Sequence, residues 1–365
     1  MQAHPKAFRL QVPEADLQDL RQRLARTRLP DEPPLAPWSS GTSLAHLREL
    51  IAYWQDGFDW RRHEAALNGF RQYTLPIGGI DLHFIHEPGR GAKPLPLLLS
   101  HGWPGSVLEF RRLIPLLTER FTVVAPSLPG YTLSFKRGQK RFGVEDIAHL
   151  YAQLMDALGY RRFAAQGGDW GAFVASLLGA RYAERLIGIH LNLLAVRRDP
   201  HVPAESAEEA LYLEQLKHFL KEETGYQWIQ GTKPQTLAYA LTDSPAGLAA
   251  WIAEKFHGWS DAPIGRDDLL ANISLYWFTG AIGSSFWPYY ARMHSPWPVP
   301  EGSVGVPVGY AEFPKEILRP PRSLAARTYT DIRRWTRMPR GGHFAALEEP
   351  EALAAEILAF FSGLT

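Results

Sequence analysis

The hexapeptide Gly167-Gly168-Asp169-Trp170-Gly171-Ala172 constrains the fold of this chain more than any other stretch. It follows a short apolar run and precedes a helix-like run, so it lies where a strand passes into a helix. Small residues two positions before and two positions after a polar residue are typical of a nucleophile elbow. The turn of such an elbow is too tight for larger neighbours, and it holds the central side chain, here Asp169, in the open.

Asp169 stands where an elbow usually carries serine, and this difference changes the predicted chemistry. A carboxylate that attacks carbon forms an ester, which water must then hydrolyse. The pattern therefore favours a substrate with an electrophilic sp³ carbon, such as an epoxide or an alkyl halide, over an ester or an amide. The hexapeptide also fits a glycine-rich turn in which Asp169 only caps the following helix, and by itself it does not decide between the two.

The pattern around the elbow predicts an α/β fold. Between residues 95 and 191, short apolar runs typical of buried strands alternate with amphipathic helices, which indicates a mostly parallel sheet with right-handed crossovers. Gly78-Gly79 separates two strand-like runs and predicts a hairpin ahead of this alternation. We expect further strands over 304–310 and 328–336, and a closing helix over 350–361.

Two segments lie outside the strand and helix alternation. Residues 1–75 contain two amphipathic helical patterns, and we expect them to form an N-terminal extension that packs on the core and on a cap. Residues 198–298 show consecutive helical patterns rich in aromatic side chains, and we expect them to form that helical cap. The α/β core then comprises residues 76–197 and 299–365.

The composition excludes several functional classes. The 365 residues are 45% hydrophobic with a formal net charge of +1, so the chain can bury a large core and offers no electrostatic basis for binding nucleic acid or an anionic membrane. The absence of cysteine excludes disulfides, thiolate chemistry and cysteine-ligated metals. No uncharged apolar run approaches the roughly 20 residues that span a bilayer, and the first residues lack a signal-peptide pattern. We therefore expect a soluble cytoplasmic protein; the sequence leaves open whether it is a homodimer.

Residues suited to hydrolysis occur in the chain order nucleophile, acid, histidine, which is the order of α/β-hydrolases. Asp169 follows one predicted strand and His343 follows the last. Because the carboxyl ends of parallel strands gather at one edge of the sheet, residues distant in sequence can meet there. His343 would deprotonate the water that attacks the ester, and an acid would orient its imidazole. The pattern leaves Glu312, Glu316 and Asp331 open as that acid.

Further hydrogen-bond donors are needed around such a nucleophile. When water adds to the ester, one oxygen becomes negative, and the backbone N–H groups of Trp103 and Trp170 are predicted to form an oxyanion hole for it. Opening an epoxide also requires an acid for the departing alkoxide, and a pair of tyrosine hydroxyls on the cap would serve. The pattern does not choose among the 14 tyrosines.

Several stretches spread over the chain must be taken together. They are residues 70–85, His101-Gly102-Trp103-Pro104-Gly105-Ser106, the elbow hexapeptide, 225–234, 243–251 and 341–350. Together they resemble the microsomal-type epoxide hydrolase family. The resemblance implies the α/β-hydrolase fold, with a mostly parallel central sheet flanked by helices, an inserted helical cap and an N-terminal extension. It also implies hydrolysis of an epoxide to a vicinal diol without cofactor or metal. Because the sequence lacks the N-terminal apolar helix of the membrane-anchored animal members, it is more similar to the soluble microbial members.

The resemblance implies a role for individual residues of this chain. The implied roles are nucleophile for Asp169, water-activating base for His343, acid for Glu316 and first cap tyrosine for Tyr226. Tyr289 is the better match for the second cap tyrosine. Tyr290 is the alternative, because the segment departs from the family pattern at Phe286-Trp287-Pro288.

Two other functions compete with this interpretation. A haloalkane dehalogenase uses the same aspartyl ester chemistry but stabilises a halide, often with indole N–H donors, and Trp170 beside Asp169 is consistent with it. The cap tyrosines and the N-terminal extension argue against a dehalogenase. A non-catalytic binding protein of the same fold would be favoured by loss of the nucleophile or the base, and neither is lost.

Overall fold

The computed structural model describes residues 4–364, and their strands form one nine-stranded sheet. In chain order the strands are β1 Lys6–Phe8, β2 Gln72–Ile77, β3 Ile80–Glu87, β4 Leu95–Ser100, β5 Phe121–Pro126, β6 Phe163–Gly167, β7 Leu186–Leu191, β8 Val308–Glu312 and β9 Ile332–Arg337. Their order across the sheet is β1-β2-β3-β5-β4-β6-β7-β8-β9. The strands β1 to β3 pair antiparallel and β3 joins β5 antiparallel, whereas β4 to β9 pair parallel. The predicted mostly parallel sheet and its leading hairpin are confirmed.

Helices flank the sheet and fill the long segment between β7 and β8. They are α1 Glu14–Ala25, α2 Leu44–Asp56, α3 Trp60–Leu67, α4 Leu113–Leu117, α5 Val144–Ala157, α6 Trp170–Arg181, α7 Ala207–Glu222, α8 Gly225–Thr232, α9 Pro234–Asp243, α10 Pro245–Trp259, α11 Arg266–Thr279, α12 Ile282–Ser285, α13 Trp287–Met293, α14 Arg322–Ala326, α15 Ala345–Glu348 and α16 Pro350–Ser362. Within residues 4–364, no helix combines the length and the apolar character needed to cross a bilayer. The cytoplasmic location stays a prediction.

The central strand β4 shows why helices cover both faces of the sheet. Leu97 and Leu99 belong to the hydrophobic cluster that includes α4 and α16, while Leu98 between them belongs to the cluster that includes α5 and α6. All three are at most 1% exposed. Since successive side chains of a strand point to opposite faces, a continuous apolar run needs a helical layer on each side. Burying each leucine contributes about 2 kcal/mol.

The first two helices lie against the helical segment 198–298. The Tyr53 hydroxyl donates to Asp267 at 2.7 Å, and the Trp54 indole N–H donates to Ser274 at 2.9 Å. The strand β1 pairs with β2 and thereby joins the sheet itself. These contacts fit an extension that packs on core and cap, although the boundaries of the three predicted domains stay predictions.

Two strand boundaries differ from the sequence expectation. The strand β8 begins at Val308 and not at Val304, because Pro307 lacks an N–H and offers only its carbonyl oxygen to the ladder, where it accepts from Ile189. The strand β9 begins at Ile332, since Thr328 and Tyr329 donate to the Ala325 carbonyl and continue the turn that ends α14. Residue 331 therefore precedes β9 and does not lie within it. The short elements β1 and α3 were not predicted.

Candidate active site

Asp169 lies in a strained turn between β6 and α6. Its φ of 49° and ψ of −129° form a conformation that residues other than glycine rarely adopt. Such strain costs roughly 1–3 kcal/mol and is often found at functional sites. A Cβ at Gly171 would lie 1.9 Å from the Ser100 carbonyl oxygen on the neighbouring strand, which explains why this turn needs a residue without a side chain. The turn has the tight geometry that the hexapeptide predicts.

His343 lies between Asp169 and Glu316. Its Nε2 is 3.5 Å from Asp169 Oδ2, and its Nδ1 is 2.6 Å from Glu316 Oε1. The Glu316 side chain is 0% exposed and that of His343 2%, whereas that of Asp169 is 17% exposed. The backbone N–H of His343 donates to the Trp259 carbonyl at 2.9 Å, so the end of α10, within the predicted cap, helps to position the imidazole.

The structure separates the three acids that the sequence pattern leaves open. Glu316 is the one that contacts His343, and the Ile317 N–H donates to the same carboxylate oxygen at 2.7 Å. Glu312 instead accepts from the Trp335 indole at 2.9 Å. Asp331 forms an exposed ion pair with its near neighbour on β9 at 2.9 Å. The acid that the resemblance implies is therefore the one beside the histidine.

The two carboxylates control the protonation of His343. Burial by itself lowers the pKa of His343, but the charges of Glu316 and Asp169 and their hydrogen bonds outweigh burial and raise it to about 10. At neutral pH the imidazole is therefore protonated as long as both carboxylates are charged. Removing the charge of Asp169 would lower the pKa of His343 again.

The loop after β4 supplies one of the two predicted oxyanion donors. The Trp103 N–H donates to Asp169 Oδ1 at 2.7 Å. A Cβ at Gly102 would lie 2.2 Å from the same oxygen, so this position of the loop has no room for a side chain. The second predicted donor, the Trp170 N–H, begins α6 next to Asp169, but no hydrogen bond of residues 4–364 joins this N–H to the carboxylate.

The two cap tyrosines implied by the resemblance meet above the elbow. The rings of Tyr226 and Tyr289 are 5.6 Å apart, and their exposed fractions are 5% and 7%. Burial and the charge of Asp169 raise the pKa of Tyr226, and burial, Tyr226 and Asp169 raise that of Tyr289, so both phenols stay protonated at neutral pH. Tyr290 packs between Trp287 and His294, at ring distances of 4.6 and 4.0 Å, and does not line the cavity over Asp169.

A cavity of about 300 Å³ opens over Asp169. Tyr226 and Tyr289 line it together with apolar side chains and two arginines, and the other lining residues are Trp170, Phe173, Leu193, Arg198, Leu220, Gln227, Arg292, Met293, Trp297 and Ile317. A second cavity of about 20 Å³ also borders Asp169 and is lined by His343 and Glu109 among others. Its size suits a single water molecule.

Two buried charged residues at this site are not predicted from the sequence. Lys255 is 4% exposed, and its Nζ lies 4.4 Å from the ring centroid of Tyr226 and 2.6 Å from Glu254. The helical spacing of the sequence does indicate that Lys255 is buried, because it lies on the same face of α10 as Leu248 and Trp259. Glu109 carried a weaker signal, a lone acid among the apolar residues of the 3₁₀ helix Val107–Arg111.

Replacing Glu109 with glutamine is expected to stabilise the protein increasingly between about pH 4.5 and pH 8. Burial raises the pKa of Glu109 to about 8; the nearby His343 lowers it and Asp169 raises it. A folded-state pKa above the unfolded value means that the wild type loses stability as the pH rises through this window, by at most about 5 kcal/mol. Glutamine does not ionise and escapes this loss. Urea unfolding at pH 5, 7 and 9 measures the difference in free energy of unfolding between Glu109→Gln and the wild type.

The matched control for this prediction is Glu119→Gln, because that side chain is 71% exposed and pairs with Arg90 on the surface. Its free energy of unfolding should stay close to that of the wild type at every pH. A Glu109→Gln difference that is the same at pH 5 and pH 9 would contradict a neutral, buried Glu109.

Two family models match the chain, one described as Epoxide hydrolase N terminus over residues 5–110 and one described as alpha/beta hydrolase fold over residues 96–224. A protein of Stigmatella aurantiaca is 42% identical over 374 residues, which cover 98% of this chain and 84% of that protein. Epoxide hydrolase 1 of Oryctolagus cuniculus is 36% identical over 405 residues, which cover 97% of this chain and 88% of the relative.

The fold is similar to that of a solved relative. The structure of Aspergillus niger epoxide hydrolase superposes with a TM-score of 0.89 at 33% sequence identity, covering 100% of this chain and 97% of the other. The predicted fold, a mostly parallel sheet with flanking helices, is confirmed by this likeness together with the family models.

Proposed function

Because the chain belongs to the epoxide hydrolase family and has the α/β-hydrolase fold, we propose that it converts an epoxide to a vicinal diol through a covalent ester on Asp169. The observation that carries this proposal is the chain of contacts from Asp169 through His343 to Glu316, with two buried tyrosines at the same cavity. Asp169 is the nucleophile, His343 the base and Glu316 the acid that orients it.

The first step is the opening of the oxirane ring. The Trp103 N–H holds Asp169 Oδ1, which leaves Oδ2 as the oxygen that attacks an epoxide carbon. As the C–O bond of the ring breaks, Tyr226 and Tyr289 donate hydrogen bonds to the departing oxygen, and one of them transfers its proton. Gln227 donates to the Tyr226 hydroxyl at 2.8 Å, so the proton of Tyr226 is free to point at the substrate. The cation of Lys255 over the Tyr226 ring stabilises the charge that develops there.

The second step is hydrolysis of the ester. Esterification removes the negative charge of Asp169, which lowers the pKa of His343. The imidazolium then gives its proton to the tyrosinate that ring opening left, which restores the phenol and yields the neutral imidazole that a general base requires. His343 takes a proton from water in the small cavity beside it, and the hydroxide adds to the carbonyl carbon of the ester. Trp103 N–H, with Trp170 N–H as the predicted second donor, stabilises the resulting oxyanion. The bond between the carbonyl carbon and the substrate oxygen then breaks, and the proton of the added hydroxyl group passes to that oxygen. The diol leaves, and the carboxylate of Asp169 is restored.

A haloalkane dehalogenase is the second candidate, because the Trp170 side chain lines the cavity beside Asp169. A parallel assay of terminal aryl epoxides and alkyl halides separates the two by measuring diol and halide release. We expect diol from the epoxides and no halide from the halides. Halide release without diol formation would replace the proposed function by dehalogenation.

Removing the hydroxyls of the two cap tyrosines is expected to slow ring opening. Tyr226→Phe or Tyr289→Phe alone should lower the single-turnover rate of ester formation about 10- to 100-fold, since the remaining tyrosine still donates one hydrogen bond. The double variant should lose roughly 10³-fold or more. Stopped-flow measurement of ester formation with excess enzyme gives these rates.

The control for the tyrosine variants is Tyr290→Phe. This hydroxyl belongs to the neighbouring residue on α13 but lies outside the cavity lining, so the variant should react within about two-fold of the wild type. If Tyr290→Phe slowed ring opening as strongly as Tyr289→Phe, the choice of Tyr289 would be wrong.

A further inference from the structure

Two arginines line the cavity in which the epoxide is proposed to react. Arg198 follows β7, and Arg292 belongs to α13. Neither guanidinium takes part in any ion pair or hydrogen bond found in the described part of the chain, residues 4–364. Instead, each lies over an aromatic ring, Arg198 at 5.5 Å from the centroid of Phe219 and Arg292 at 4.2 Å from that of Trp297.

The charge around these arginines is positive and poorly compensated. Burial lowers the pKa of Arg292, and the neighbouring charges of Arg198 and Arg197 lower it further, while Glu145 is the acid that acts in the opposite direction. The Glu145 carboxylate also lies 4.0 Å from the guanidinium of Arg181, a surface residue of α6, so its charge does not neutralise the arginines of the cavity. A half-buried cation without a carboxylate is costly, and an anion placed beside it relieves that cost.

The remainder of the cavity restricts where an anion can bind. Asp169 is the acidic residue of the cavity lining, and its negative charge would repel an anionic group placed beside it. The walls formed by Phe173, Leu193 and Leu220 are apolar and suit a hydrocarbon segment. A ligand that complements this cavity would place an anionic group at the arginines, an apolar segment against the apolar walls and an uncharged epoxide at Asp169.

We propose that the substrates of this cavity are amphipathic epoxides that carry a carboxylate, joined to the oxirane by an apolar chain and held by Arg198 and Arg292. This inference rests on the proposed function and names the substrate class of the same site. The planar guanidinium favours a carboxylate, since the two groups can form paired hydrogen bonds.

The test compares two epoxides that differ only in charge, an epoxy carboxylic acid with an eight- to ten-carbon chain and its methyl ester. The readout is the ratio of kcat/KM for the acid to kcat/KM for the ester, measured within each enzyme variant. We expect the wild type to prefer the acid, and Arg198→Gln or Arg292→Gln to lower the ratio about 10-fold or more, as for loss of a charged hydrogen bond. Arg292→Lys, which keeps the charge, should retain part of the preference.

The control variant is Arg90→Gln, because that side chain is 61% exposed and pairs with a surface glutamate. It should keep the wild-type ratio, and raising the salt concentration should lower the wild-type ratio by screening the charges. A wild type that hydrolyses both compounds with equal efficiency, or arginine variants with an unchanged ratio, would overturn the inference while the proposed function stands. Failure to hydrolyse either compound or any neutral aryl epoxide would instead contradict the proposed function.

Discussion

Replacing Asp169 with asparagine is expected to lower the rate of diol formation by roughly 10⁴-fold or more, as for loss of a catalytic nucleophile. Asparagine keeps the volume of the side chain and an oxygen that can accept from the Trp103 N–H, so the turn between β6 and α6 should still form. It lacks the anionic oxygen that attacks carbon, and an amide is a poor nucleophile. Steady-state diol formation with an aryl epoxide gives the rate, and thermal unfolding checks the fold.

The matched control for this variant is Asp331→Asn, which changes one of the acids that the sequence pattern leaves open as the partner of His343. Asp331 forms a surface ion pair and should be dispensable, with activity within about two-fold of the wild type. If Asp169→Asn stayed within ten-fold of the wild type while folded, water would be attacking the epoxide directly and the ester mechanism would be wrong.

Replacing His343 with glutamine is expected to slow turnover strongly while sparing ester formation. Its Nε2 lies 3.5 Å from Asp169 Oδ2, where a base can act on the water that attacks the ester. Loss of a general base should slow steady-state diol release about 10²- to 10⁴-fold. Intact-protein mass spectrometry should then find close to one equivalent of substrate bound to the enzyme, and peptide mapping should place it on Asp169.

Two outcomes would count against the role of His343. A variant that folds but accumulates no adduct and forms no diol would assign His343 to ring opening. Diol release at the wild-type rate would remove it from the mechanism. For Glu316→Gln, we expect a rate of diol release between those of the wild type and His343→Gln. This variant keeps an oxygen near Nδ1 of His343 but removes the charge that stabilises the imidazolium.

The pH dependence of ester hydrolysis tests the link between the two steps. The pKa of His343 is about 10 while Asp169 is charged, so a base of that pKa would be protonated at neutral pH. In the ester the charge of Asp169 is gone, and the pKa of His343 falls. We therefore expect the single-turnover rate of ester hydrolysis to rise with pH to a plateau whose midpoint lies well below pH 10. A midpoint near pH 10 would contradict activation of the base by esterification.

The local parts of the site follow from the sequence because they depend on neighbouring residues. The small residues around Asp169 predict the tight turn, and the chain order of Asp169 and His343 predicts that they meet at one edge of a parallel sheet. The choice of Glu316 over Glu312 does not follow in this way. Both lie near the end of β8, and the loop conformation decides which of them reaches the imidazole.

The other unpredicted parts depend on packing between segments that are distant in the chain. Tyr289 and Tyr290 are adjacent, and only the rotation of α13 decides which ring faces the cavity. Lys255 lies on an apolar helical face, but its contact with Tyr226 arises from how α8 and α10 pack. Arg198 is a charged residue in a loop, which in a sequence is indistinguishable from a solvated surface charge.

The most direct test of the ester on Asp169 is a single turnover in oxygen-18 water with enzyme in excess over epoxide. The attacking oxygen comes from the unlabelled carboxylate, and water adds later at the carbonyl carbon. We therefore predict that the diol of the first turnover contains no oxygen-18 and that Asp169 gains one labelled oxygen. A first-turnover diol that carries one oxygen-18 from the solvent would contradict the covalent mechanism.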